Sequence, residues 1–154
     1  MQGQMTDLSA QPAAPLAPSV KLWTPGFIAA VTLFLGFPAG IVLAAINWMR
    51  MKMNDRAVMH LIAGAAGTVI FMAVLILTPG TVGRLLALVV NIGVLFYLRW
   101  QMKKDINTFQ TANKVETAGW PGGCLIGLGI FLLYLLFAFV FAFVLVMLGV
   151  PIPE

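Results

Sequence analysis

Charge is what this sequence most conspicuously lacks. Asp, Glu, Lys and Arg make up 9% of its 154 residues, against about a quarter in an ordinary soluble domain. Hydrophobic residues make up 61%, and the mean hydropathy is +0.99. A chain this short cannot hide that much apolar surface from water, so lipid is the expected solvent over much of it. Cysteine is nearly absent too: Cys124 alone excludes a disulfide framework and any cysteine-based metal site within one chain. The one histidine, His60, excludes a bis-histidine haem within the chain. Ser9 and Ser19 are the only serines, both near the N-terminus, which leaves too few groups for serine or cysteine nucleophilic catalysis. The acids Asp7, Asp55, Asp105, Glu116 and Glu154 all fall outside the long apolar runs. An ionisable group within the membrane marks a pump or transporter, so their positions speak against a proton-coupled carrier.

Four apolar segments are present, each near the ~20 residues that a bilayer crossing needs. They run from about 27–49, 57–77, 82–101 and 122–149. The expected fold class is therefore all-α, a polytopic membrane protein with four transmembrane helices over residues 25–150. Residues 1–24, rich in Ala and Pro, read as a flexible tail rather than a cleaved signal peptide, because no basic stretch precedes a short apolar core. "TPGTVG" joins the second and third segments: Pro79-Gly80 suits a tight turn and Thr81 can cap the next helix, so these two segments form an antiparallel hairpin. Asn54 or Asp55 can cap the second helix. Residues 102–121 are the one long polar connection, either a solvated loop or a partial interfacial helix with Ile106 and Phe109 dipping inward.

The cations set the expected orientation. Arg50, Lys52, Arg56, Arg99, Lys103, Lys104 and Lys114 fall on one side of a four-crossing arrangement, and Lys21 and Arg84 on the other. By the positive-inside rule the loops 50–56 and 99–120 are cytoplasmic, and both termini lie on the outer side. This distribution, with no clustered basic patch, argues against nucleic acid as a partner. Trp23, Trp48, Trp100 and Trp120 each fall at an expected helix end and read as interfacial anchors.

Helix-disrupting residues lie in the middle of the first segment, at "GFPAG" (Gly36 to Gly40). Pro38 has no N–H, so the carbonyl of Phe34 loses its helical donor and a kink is expected. Asn91, near the middle of the third segment, stands at a similar depth and is the expected partner of that carbonyl, directly or through a water. Gly36 with Gly40, and Gly123 with Gly127, are spaced for close helix approach in lipid. Gly64 with Thr68 and Ala63 with Gly67 offer similar faces on the second segment. The last segment is apolar on every side, and so either faces lipid broadly or is wrapped by other transmembrane segments.

The order of residues in "PGFIAAVTLFLGFPAGIVLAAIN", followed by a short basic loop, resembles a group of small uncharacterised bacterial four-helix membrane proteins. The likeness includes the Pro-Gly start, the Phe-Leu-Gly-x-Pro-Ala-Gly centre, Asn47 before the basic loop, and Gly119-Trp120 opening the last helix. It extends over roughly Thr24 to Leu133. "RMKMND" lacks the glycine that the group carries in that loop. The resemblance implies a bacterial cytoplasmic membrane and carries no activity with it.

Three roles follow as expectations. The first is a non-catalytic accessory or scaffolding subunit packed against larger membrane partners or further copies of itself. The second is a small homo-oligomeric channel or transporter with the Pro38 kink and Asn91 lining a path. The third is a pigment- or haem-associated subunit using His60, against which the plain alternative is an interfacial side chain. No cofactor is expected beyond lipid. Cys124 reads as a small packing residue, and Arg84 as a side chain that reaches the outer surface.

Overall fold

The computed structural model describes residues 19–78, 80–111 and 113–149. Residues 1–18 of the expected flexible tail (1–24), Pro79 of the turn, and the C-terminal residues 150–154 lie outside them; the rest of that expected tail is instead ordered into a strand at Val20–Leu22, a buried Trp23 and the cap of the first helix at Thr24. The elements in order are β1 (Val20–Leu22), α1 (Pro25–Leu35), α2 (Phe37–Arg50), α3 (Asn54–Leu77), α4 (Gly80–Gln110), β2 (Val115–Thr117) and α5 (Trp120–Met147). The fold is all-α apart from one parallel strand pair, in which Val20, Lys21 and Leu22 lie beside Val115, Glu116 and Thr117.

The first apolar segment is not one helix, and this corrects the single helix expected over 27–49. Thr24 caps α1 by accepting a hydrogen bond from the Phe27 N–H (3.2 Å), and Pro25 takes the first helical position. The helix stops at Gly36, whose φ of +86° belongs to glycine's territory. Phe37 then opens α2, with Pro38 in its first turn, where a missing N–H costs nothing. The two helices fold back on each other. Asn47, near the end of α2, binds both backbone groups of Trp23, just before α1: its Oδ1 accepts from the Trp23 N–H (3.1 Å) and its Nδ2 donates to the Trp23 carbonyl (2.8 Å). Arg50 donates to the Lys21 carbonyl (3.0 Å) and lies over the Trp23 ring. With 11 and 14 residues, the two arms are only ~16 and ~21 Å long at 1.5 Å per residue, less than the ~30 Å of a hydrocarbon core.

This helical hairpin is the centre of the molecule. Ile28, Leu43, Ala44, Ala45 and Trp48 are fully buried, joined by Leu98 and Met102 of α4. Gly40 makes the hairpin possible, since a Cβ there would overlap the side chain of Thr32. Gly64 brings α3 against Ile41 in the same way. Gly123 brings α5 against Phe27 and Trp23, and Gly127 lies on Val31 and Leu35.

Three helices, α3, α4 and α5, are long and apolar enough to cross a membrane. α3 starts at Asn54 with Met53 as an uncapped entry, and α4 starts at Gly80, so Asn54, Asp55 and Thr81 lie within helices rather than capping them. The third segment also runs further than its apolar stretch. α4 continues through "QMKKDINTFQ" to Gln110, and its 31 residues are ~46 Å long. The connection expected over 102–121 is thus largely helix, with Asp105 and Ile106 buried, and then β2.

Candidate functional site

The main polar network gathers at one end of the bundle, where β1, the close of α2, the start of α3, the last turns of α4, β2 and the start of α5 meet. Its buried charged group is Asp105, 5% exposed. One carboxylate oxygen accepts from the Trp48 indole N–H (2.8 Å) and the other from Arg56 (2.6 Å). The Arg56 side chain is half exposed, so it carries Asp105's charge partner out to the surface. A buried carboxylate needs this arrangement, because desolvating it without a partner costs several kcal/mol.

His60 lies one turn further along α3. Its ring lies against Trp48 with centroids 4.2 Å apart and planes tilted by 36°, and Tyr97 of α4 stacks on it at 5.9 Å. Nδ1 meets the Arg56 carbonyl (2.7 Å) and Nε2 the Tyr97 hydroxyl (2.9 Å). A carbonyl can only accept, so Nδ1 carries the hydrogen. In the neutral ring Nε2 then accepts from Tyr97. Both nitrogens are thus engaged by groups of the same chain.

From His60 an apolar groove of about 400 Å³ runs between α3 and α4. Ala63, Gly64, Gly67 and Phe71 recur at helical spacing along one face of α3. Val90, Val94 and Leu98 face them from α4, and Phe37 and Ile41 of α2 form the floor. Near Phe37, Asn91 reaches the break between α1 and α2. Its Oδ1 accepts from the Phe37 N–H (2.8 Å). The expected partner was the Phe34 carbonyl. The partner is instead a donor, because a true helix start leaves N–H groups unpaired whereas a kink leaves carbonyls.

The remaining site residues divide. Gly36 makes the turn and Gly40 the close approach, so they do not form one face. Trp100 and Trp120 are well exposed, as anchors should be, but Trp23 (3% exposed) and Trp48 (0%) are core residues. The correction follows from the hairpin, which puts Trp23 and Trp48 side by side at the same end under the other helices. Cys124 is exposed on α5 beside Trp120 and Ala30. Thr68 bonds the Gly64 carbonyl one turn back (2.7 Å).

Asn47, Arg56, Tyr97 and Asp105 carry the network and were not singled out as site residues from sequence. One signal was available for Tyr97. His60 lies eighteen residues before Thr78, and Tyr97 eighteen after Pro79, so a tight α3–α4 hairpin sets them opposite each other. Comparison of the chain with protein-family models, with curated proteins and with solved structures finds no match.

Proposed function

We propose that this chain is a non-catalytic integral membrane protein of the bacterial cytoplasmic membrane that serves as an accessory or scaffolding subunit, with α5 as its contact element. The observation that carries this reading is the sparse intrachain cover on α5, which packs one face, with Ile126 and Ile130, on the core and leaves the rest exposed. Its most apolar 18-residue stretch has a mean hydropathy of 3.0 and no buried residue. Only Gly123 and Gly127 at its start are buried, against α1. Leu136, Phe139, Phe143 and Met147 point outward along the rest. The groove is lined mainly by apolar side chains, with His60 and Tyr97 at one end. A channel has less support: the α2 start is closed by Asn91, and every buried side-chain nitrogen or oxygen among the described residues has a partner.

The orientation we propose has α3, α4 and α5 as crossings and α1–α2 as a re-entrant hairpin. Bringing Trp23 to Asn47 moves Lys21 to the basic end, so eight cations (Lys21, Arg50, Lys52, Arg56, Arg99, Lys103, Lys104, Lys114) face Arg84 alone at the other. This asymmetry makes the basic end cytoplasmic. Three crossings then put the described N-terminal end inside and the end of α5 outside.

Photo-crosslinking residues placed at Leu136 and Phe139 in native membranes test the role. Discrete protein adducts at these positions, with none at Gly93 on α4, are expected. Lipid adducts alone would overturn the reading.

A further inference from the structure

The groove between α3 and α4 needs an occupant. Helices joined by a two-residue connection ordinarily pack directly, and small residues on one face should draw them closer. Here Ala63, Gly64 and Gly67 face a space of about 400 Å³ instead. A Cβ added at Gly67 would meet nothing within 4 Å.

We infer that this groove is a binding site for one anionic phospholipid, whose acyl chain lies along α3 and α4 and whose phosphate is held at Arg56. The dimensions fit a chain in one leaflet. From His60 to Phe71 the α3 face rises ~16 Å, about half of the ~30 Å hydrocarbon core. The lining is apolar over that length, and it opens sideways between the two helices, where Ala63 and Tyr97 are exposed. Its polar end coincides with the basic end of the molecule.

Charge complementarity selects the headgroup. Arg56 follows the α3 face one turn beyond His60, with half its side chain exposed. A guanidinium has five N–H donors, and among the described residues only one hydrogen bond, to Asp105, is made by this one. Asp105 therefore aims the guanidinium without using up its donors, and an arginine fork suits a phosphate. Asp55 and Lys52 also line the adjoining surface and offset each other. The wider end carries eight cations against Asp55, Asp105 and Glu116, a net +5, which draws anionic lipid toward the site. The Tyr97 hydroxyl donates its hydrogen to His60 and so borders the mouth of the groove without binding the phosphate, which leaves that task to Arg56.

The test purifies the full-length protein in mild detergent and titrates it with phosphatidylglycerol or phosphatidylcholine, reading bound lipid by native mass spectrometry. One phosphatidylglycerol should persist where phosphatidylcholine is lost. A Cβ at Gly67 meets nothing within 4 Å, so Gly67→Leu extends into the groove and should lower occupancy roughly tenfold or more. Gly93→Leu, also free of neighbours within 4 Å but outside the groove, should bind as the parent does. Equal retention of the two lipids would overturn the headgroup assignment, and full retention by Gly67→Leu would overturn the groove. A phosphatidylglycerol with a photoreactive group in its acyl chain tests the unaltered protein. Adducts should fall on Ala63, Gly67, Val90 and Val94, and adducts spread over α5 alone would also overturn the site.

Discussion

Replacing Asn47 with alanine tests the hairpin where it closes. Asn47 is fully buried, and it satisfies both the N–H and the carbonyl of Trp23, itself 3% exposed. Removing the amide strands two buried peptide groups, and each costs about 1–3 kcal/mol when left unpaired. The sum is about 2–6 kcal/mol, and entry of water near the end of the bundle should bring the observed loss to about 3 kcal/mol. That is more than a hundredfold in the folding equilibrium, at about 1.4 kcal/mol per decade. The assay is reversible unfolding in mixed micelles by titration with sodium dodecyl sulfate, followed by tryptophan fluorescence, because Trp23 and Trp48 are buried and report loss of the core. Asn113→Ala is the control. Its side chain is exposed and bonds only the Phe109 carbonyl, so its effect should stay within about 0.5 kcal/mol. Asn47→Asp keeps an acceptor for the Trp23 N–H but loses the donor and buries a charge, so it should be at least as damaging as alanine. If Asn47→Ala matched Asn113→Ala, the clamp would be refuted. In a continuous helix these residues, 24 apart in sequence, would stand ~36 Å apart and could not interact.

Other perturbations probe neighbouring points of the same architecture. With Cys124 replaced by alanine, Lys21→Cys and Arg50→Cys should form an intramolecular disulfide in native membranes on mild oxidation, read as a mobility shift; no crosslink, together with labelling from opposite sides of the membrane, would restore a single crossing. Asn91→Leu strands the Phe37 N–H at the start of α2 and should cost about 1–2 kcal/mol in the same titration, the usual worth of a helix cap; an unchanged midpoint would show that the break needs no cap. Gly40→Ala must push α2 away from Thr32, and overpacking of this kind costs about 1–3 kcal/mol. Thr32→Ala added to it should restore only part of that, since the Thr32 backbone also lies close; simple additivity in the double-mutant cycle would show that the two do not touch.

The long helices were legible in the sequence because lipid imposes one strong rule. A backbone in hydrocarbon must satisfy itself, so apolar runs become helices of membrane length. That rule places α3, α4 and α5 within a few residues of their ends, except where α4 continues past its apolar stretch. Its extension is amphipathic: Met102, Asp105 and Ile106 recur on one face and turn inward, while Lys103, Lys104 and Asn107 face out. Hydropathy averaged over a window misses such a turn. "GFPAG" was recognised as a disruption, but a kinked crossing and a reversed hairpin have the same composition. The carboxylate network was hidden for a related reason. Asp105 reads as a loop acid until α4 is known to carry it beneath Trp48 and beside Arg56.

Composition, hydropathy and spacing by themselves determined that the chain is helical, that it carries four apolar segments near the length of a membrane crossing, that its cations are segregated, and that the first segment is interrupted around Gly36 to Gly40. Those properties depend on residues close in sequence and on their transfer between water and lipid. Only the tertiary structure decided which way the chain runs after Gly36. That choice depends on Thr32 meeting Gly40, on Asn47 meeting Trp23 and on Asn91 meeting Phe37. The last two pairs are separated by 24 and 54 residues, and no local periodicity encodes contacts at such distances. The same hairpin moves Lys21 and Trp23 to the basic end, and α2 becomes the floor beneath a groove whose walls are α3 and α4.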